Sequence, residues 1–154
     1  MNGMDLIVDT NLLVLFVVGT TDRNLIARHK RLKAFSDDDF DLLCEIIACS
    51  RQVFVTPNTV SETSNLLGHI DEPARTRIFE TFRVLLLTTP EEYVESGIAC
   101  NAREFLRLGI TDSALLHIAD ESRTILTTDL DLYLSALSRG LVAHNFNHLR
   151  ELRL

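Results

Sequence analysis

Short apolar runs that read as strands alternate along this chain with stretches of helical periodicity, and that alternation is what most restricts its fold. Asp5 to Val8 is an apolar run closed by Asp9, and Val53-Phe54-Val55-Thr56, Thr124 to Thr127 and Leu141 to His144 read as further strands. Leu12 to Val18 continues apolar into a helix whose valines lower its intrinsic propensity. Asp37 to Ser50 sets Phe40, Leu42, Leu43, Ile46 and Ile47 at helical spacing behind Ser36, a good N-cap. Pro57 suits the first turn of a helix running to Leu67 and stopped at Gly68. Glu72 to Leu86 reads as a helix with Ile78, Phe82 and Leu85 along one side, and Leu85-Leu86-Leu87 as a strand at its end. Pro90 opens another helix with Glu91 and Glu92 in its first turn, where the helix dipole favours acids. Helices over Thr111 to Ser122 and Asp131 to Arg139, the second ended by Gly140, complete the pattern. Strands alternating with helices predict an α/β fold, a mostly parallel central sheet flanked by helices on both faces. At 154 residues, with no repeat and no linker, the expectation is a single domain over 1–154.

The longest apolar runs, such as Leu12 to Val18, are far too short to span a bilayer, so no membrane partner is expected. The N-terminus has no basic lead, and Asp9 interrupts its apolar stretch, unlike a secretory leader. Cys44, Cys49 and Cys100 show neither metal-binding nor redox spacing, which predicts buried thiols and a cytoplasmic setting. The net charge of −7 argues against a passive, high-affinity nucleic-acid binder. It weighs less against a metal nuclease, because part of that charge is clustered carboxylate that a divalent ion would neutralise. Arg23, Arg28, Lys30, Arg31 and Lys33 crowd into eleven positions around His29. That stretch reads either as a solvated helix face or as an RNA-binding segment following a phosphate backbone.

Four acids mark strand-to-helix or loop-to-helix boundaries: Asp9, Glu62, Asp112 and Asp129. Singly, each has a local explanation. Glu62 lies three residues after Thr59, as in a capping box, and Asp112 follows Thr111 at a helix start. Asp9 and Asp129 are both placed to cap the helices that follow them. Together they suggest more. Ligands of open α/β sheets bind outside the carboxyl ends of the strands, and crowded carboxylates need a cation to remain ionised.

The ordered set Val8-Asp9-Thr10-Asn11, Ser61-Glu62, Gly109-Ile110-Thr111-Asp112-Ser113-Ala114-Leu115 and Leu126-Thr127-Thr128-Asp129-Leu130-Asp131 resembles the PIN-domain ribonucleases, most closely the bacterial VapC toxin-like group. The resemblance runs from Asp5 to about Leu149 and includes the closing Asn145-Phe146-Asn147-His148-Leu149. It implies that Asp9, Glu62, Asp112 and Asp129 are catalytic and hold Mg²⁺ or Mn²⁺, with Asp131 as a further metal-binding acid. It makes Asn11 and Thr127 polar supports. It also implies an RNA substrate, with DNA remaining open, products with a 5′-phosphate and a 3′-hydroxyl, a homodimer, and control by a small antitoxin. Two stretches depart from the pattern. The Asp9 to Glu62 interval is longer than in the smallest such toxins, and Gly68 to Gly109 aligns with nothing residue by residue.

Oxygen donors suit hard Mg²⁺, and metal-assisted hydrolysis needs no covalent nucleophile. The scattered His29, His69, His117, His144 and His148 agree with that chemistry. Two other classes compete with this reading. A phosphoryl-transfer domain of the haloacid-dehalogenase type wants Asp-x-Asp after its first strand, where this chain has Asn11, and it wants a downstream Lys that is missing here. A non-catalytic PIN scaffold that binds a partner would be favoured by loss of one acid, and all four are present. The apolar positions of the helices over Asp37 to Ser50 and Glu72 to Leu86 exceed what one face needs, which together with the resemblance predicts a two-fold dimer, the alternative being a monomer whose helices line its own core.

Overall fold

The computed structural model describes residues 3–153. Four strands, β1 (Asp5–Val8), β2 (Gln52–Phe54), β3 (Arg123–Thr127) and β4 (Ala143–Asn145), form one parallel sheet in the order β2-β1-β3-β4. Leu6 pairs with Val53 on one side and Thr124 on the other, and Ile125 with Ala143. From β1 the chain crosses to β2 at one edge, whereas β3 leads to β4 at the other. The order of connection therefore reverses between β1 and β3, where an open α/β sheet leaves a crevice beyond its strand ends.

Both faces of the sheet are covered, which is why the central strands read as continuous apolar runs. Leu6, Val8 and Leu126 pack into one core with α1 (Thr10–Thr21), α2 (Asp37–Cys49), α3 (Pro57–Leu67) and α4 (Ala74–Thr88). Ile7 and Ile125 point the other way, into a core with α7 (Ile110–Ile118) and α8 (Leu130–Ser138). Alternation along the strand sends neighbours to opposite faces. α1 is buried almost all round, from Leu12 through Val18, so it is a core helix rather than an amphipathic one. Its Gly19 lets α2 come close: a Cβ there would lie 2.4 Å from the Phe40 ring. The Ser36 cap forms as a full capping box with Asp39, and Gly68 closes α3. The chain ends with α9 (Phe146–Glu151), whose Phe146 is fully buried.

Several boundaries differ from the sequence expectation. No helix starts at Pro90. Instead the backbone of Val55 bonds to Pro90 and Glu92, in a parallel bridge that prolongs the β2 edge. The Glu92 carboxylate pairs with Arg123, so acids that looked like helix-start residues serve a sheet edge. Only two short turns of helix follow, α5 (Ser96–Ala99) and α6 (Phe105–Leu108). Leu85-Leu86-Leu87 remain inside α4 because that helix continues to Thr88. α7 stops at Ile118, as Asp120 accepts hydrogen bonds from the Ser122 backbone and hydroxyl and turns the chain into β3. The last strand is Ala143–Asn145, two residues later than its apolar run suggested.

The basic segment is not a helix face: beyond a 3-10 turn at Arg23–Leu25 it is a looped segment. The thiols are not buried either. Cys49 and Cys100 are exposed and Cys44 is half-buried. Among the described residues, no helix is long and apolar enough to cross a membrane.

Candidate functional site

The crevice beyond β1 and β3 gathers the four predicted acids into one cavity of about 410 Å³, open to solvent, with Asn11 and Arg31 also on its walls. Each acid arrives from a different element. Asp9 follows β1 as the N-cap of α1 and accepts from the Thr10 amide at 2.7 Å. Asp129 follows β3 as the N-cap of α8 and accepts from the Leu132 amide at 3.0 Å. Asp112 lies in the first turn of α7. Glu62 is inside α3, more than a turn from its start. Thr56, not Thr59, caps that helix, so no capping box accounts for Glu62 and it is not a boundary residue.

Hydroxyls hold two of these carboxylates. The Thr127 hydroxyl donates to Asp9 and accepts from the Asp129 amide at 2.9 Å, so one side chain ties the ends of β1 and β3 together. Thr111 donates to Glu62 at 2.6 Å and Thr10 to its other oxygen at 3.3 Å, linking α3 to α7 and α1. Thr127 was expected as a support. Thr10 and Thr111 were not, and their only sequence signal was adjacency to Asp9 and Asp112. Asn11 is exposed on the cavity wall.

Negative charge predominates in the site, where four carboxylates face the single guanidinium of Arg31 on the cavity wall. Burial, and secondarily the carboxylates of Asp129 and Glu62, raise the pKa of Asp9 despite its bonds from Thr127 and Thr10. Burial, followed by the charges of Asp9, Asp129 and Glu62, pushes Asp112 up to about 7. Such mutual opposition is what a bound cation would relieve.

The donors suit a hard cation in kind but do not yet close around one. Among the described residues, no three His, Cys, Asp or Glu side chains stand close enough to hold a metal ion as placed. Asp9 and Glu62 face their hydroxyl partners, and Asp129 turns to its capping amide. Side-chain rotation would be required to converge them. Asp131, expected as a fifth acid, is exposed in the first turn of α8 and does not line the cavity.

The predicted basic cluster divides. Arg23 turns away, paired with Asp41 and stacked over Phe40. Arg28 is exposed and lines neither this cavity nor its neighbour. Lys30, Arg31 and Lys33 line a second cavity of about 460 Å³, and Arg31 and Asn11 border both.

No family model matches this chain, and no curated protein matches it in sequence. Among solved structures it is similar to a domain of a functionally unknown protein from Methanocaldococcus jannaschii DSM 2661. That likeness is at 17% identity over 93% of this chain and 91% of the other, with a TM-score of 0.48. A likeness at that level carries nothing over to this protein.

Proposed function

We propose that this protein is a metal-dependent endoribonuclease of the PIN type, with Asp9, Glu62, Asp112 and Asp129 as the holders of Mg²⁺ or Mn²⁺. The observation that carries the reading is that four carboxylates, from four separate elements, line one cavity at the switch point of a parallel sheet, with Asp112 pushed up to about 7. A divalent ion held by these carboxylates would make a water easier to deprotonate to a nucleophile near neutral pH, and would offset charge on the phosphate oxygens. The chain's own part is positional. Thr127 fixes the rotamer of Asp9, Thr111 and Thr10 hold Glu62, and Asn11 offers an amide to a substrate oxygen at the rim. Asp112 carries no side-chain hydrogen bond among the described residues, so it is free to change partner or proton as a ligand arrives.

The same reading makes the protein the toxin of a cytoplasmic toxin–antitoxin pair, acting as a homodimer. The surfaces offered for pairing differ from those expected. α2 keeps its apolar side chains in its own core, whereas α4 exposes Val84 and Leu87. An antitoxin segment at the acidic cavity would need an Arg or Lys, since a cation there competes with the metal. A mass near 17.4 kDa by light scattering would remove the dimer from this reading.

A non-catalytic scaffold is the second reading, favoured by the carboxylates engaged with hydroxyls rather than turned toward a common centre. One experiment separates the two. Purified protein is incubated with mixed RNA in Mg²⁺, in Mn²⁺ and in chelator, and product ends are analysed. The nuclease reading expects metal-dependent cleavage, lost by at least about 100-fold in each of Asp9→Asn, Glu62→Gln, Asp112→Asn and Asp129→Asn, with the fold retained. Near-normal cleavage by three of those four at saturating metal would overturn the quartet. No cleavage by the unaltered chain would favour the scaffold.

A further inference from the structure

We infer that the basic cavity beside the acidic one is a second subsite, which binds the phosphodiester backbone of a nucleic-acid strand where it leaves the acidic cavity. The inference deepens the nuclease reading and rests on it for the identity of the neighbouring site. Lys30, Arg31, Lys33 and Arg150 surround this cavity, with Asn147 and the half-buried ring of Phe35 between them. Arg31 and Asn11 belong to both cavities, so the two adjoin at a guanidinium and an amide that could both meet phosphate oxygens.

The charge is exceptional for this molecule. In a chain of net charge −7, both of its lysines, Lys30 and Lys33, fall in this one cavity. Eight arginines are ion-paired with carboxylates, Arg150 among them. Among the described residues, Lys30, Arg31 and Lys33 have no carboxylate partner. Arg28, Arg75, Arg83 and Arg107 also have no carboxylate partner among the described residues, but Lys30, Arg31 and Lys33 gather around one cavity, and unpaired cations concentrated in that way in an acidic protein mark a surface suited to an external anion.

The cavity is also preorganised. Its loop is anchored by Leu25, Ile26 and Leu32, all buried, and by His29, which is fully buried. His29 Nδ1 accepts from the Arg31 backbone amide at 3.2 Å, which leaves Nε2 as the donor to the Leu67 carbonyl at 3.1 Å. The neutral imidazole therefore holds the turn carrying Arg31 against the end of α3, the helix that carries Glu62. Across the cavity, Arg150 is fixed by Asp39 and by the Ala34 carbonyl, each at 2.7 Å, and lies over the Phe35 ring. Asn147 donates to the Thr128 carbonyl, one residue before Asp129. Both walls thus lead back to the acidic site. A volume of about 460 Å³ is within the range of ligand pockets, and amide groups beside lysines and arginines are the usual partners of phosphate oxygens.

The test is binding of a short fluorescein-labelled single-stranded RNA, followed by anisotropy in chelator across a salt series. Lys30→Gln/Arg31→Gln/Lys33→Gln is expected to weaken binding at least about 10-fold at low salt. It should also flatten the slope of log K against log salt by about 2, from three lost contacts at about 0.7 each. Thermal melting confirms that the variant folds, and Lys30→Gln/Lys33→Gln, which leaves the His29–Arg31 turn untouched, should show part of the same loss. Arg75→Gln/Arg83→Gln, which removes two cations on α4 outside the cavity, should change neither quantity.

Unchanged affinity and slope in the triple variant would overturn the subsite. So would an equal loss in the α4 pair, no detectable binding by the unaltered chain, or tighter binding of a glutamate-rich peptide than of the RNA. The two readings fail separately. RNA binding at these residues without hydrolysis in Mg²⁺ removes the nuclease and keeps the subsite. Hydrolysis that needs Asp9, with binding indifferent to Lys30, Arg31 and Lys33, does the reverse.

Discussion

Replacing Asp112 by Asn should stabilise the metal-free protein at and above neutral pH while disabling its site. In the folded chain the Asp112 carboxyl titrates at about 7 rather than its ordinary 3.8, through burial first and then the charges of Asp9, Asp129 and Glu62. A gap of about three pH units corresponds to about 4 kcal/mol, at about 1.4 kcal/mol per unit. Asp112 is only partly buried and the cavity is open, so solvent screening reduces that to about 2 kcal/mol. The sign follows from the direction of the shift. The folded state holds this proton more tightly than the unfolded state, so the destabilisation is absent below 3.8, grows as pH rises towards about 7, and is complete above it. Asn has no such dependence and the same shape. For a domain of this size, about 2 kcal/mol is a rise in Tm of about 4–8 °C. Melting followed by circular dichroism in chelator should therefore show the variant ahead of the unaltered protein near pH 8 and level with it near pH 4. Added Mg²⁺ or Mn²⁺ should close the gap from the other side, by stabilising the unaltered chain and not the variant. A variant that melts at or below the unaltered protein near pH 8, or a gap that is the same at both pH values, would refute the reasoning.

Three other substitutions probe the parts that hold the site. Gly19→Ala should lower stability by about 1–3 kcal/mol in chemical denaturation, although alanine favours a helix by about 1 kcal/mol, because its Cβ would overlap the buried Phe40 ring. A more stable variant would mean that α1 and α2 cross less closely. Thr127→Val keeps the shape but leaves Asp9 without its donor and the Asp129 amide without its acceptor, so a loss of about 1–3 kcal/mol is expected, with cleavage falling as well. Unaltered stability would show that neither bond matters. His29→Leu should cost about 1–3 kcal/mol near pH 8. Burial lowers the pKa of His29, so the folded state resists its protonation and the unaltered protein loses stability as pH falls below 6.5. The difference between the two proteins should therefore narrow toward pH 5, and a difference that widens would contradict a neutral, buried imidazole.

Much of the fold was legible because it depends on local chemistry. Leu6-Ile7-Val8 and Ile125-Leu126 are apolar on both sides, and only strands covered on both faces need that. Ser36, Pro57 and Gly68 act within a turn of their own position, so their capping roles are visible in a string of letters. The boundary positions of Asp9, Asp112 and Asp129 were legible for the same reason, whereas Glu62, expected at a boundary, lies inside α3. The misread stretches were those whose partners lie far away in sequence. Pro90-Glu91-Glu92 carries the signature of a helix start but pairs with Val55, and Glu92 answers Arg123.

What tertiary structure alone decided was which charges meet. From the sequence, Arg23 to Lys33 is one basic cluster. In the fold, Arg23 turns to Asp41, while His29 pins a loop that presents Lys30, Arg31 and Lys33 beside Arg150 from the far end of the chain. Thr10, Thr111 and Thr127 look alike as letters. They matter because the reversal of connection between β1 and β3 brings their hydroxyls to carboxylates from distant elements. Periodicity and capping act over a few residues and are written in order along the chain, whereas electrostatic neighbours depend on distance in space, which only the folded backbone sets.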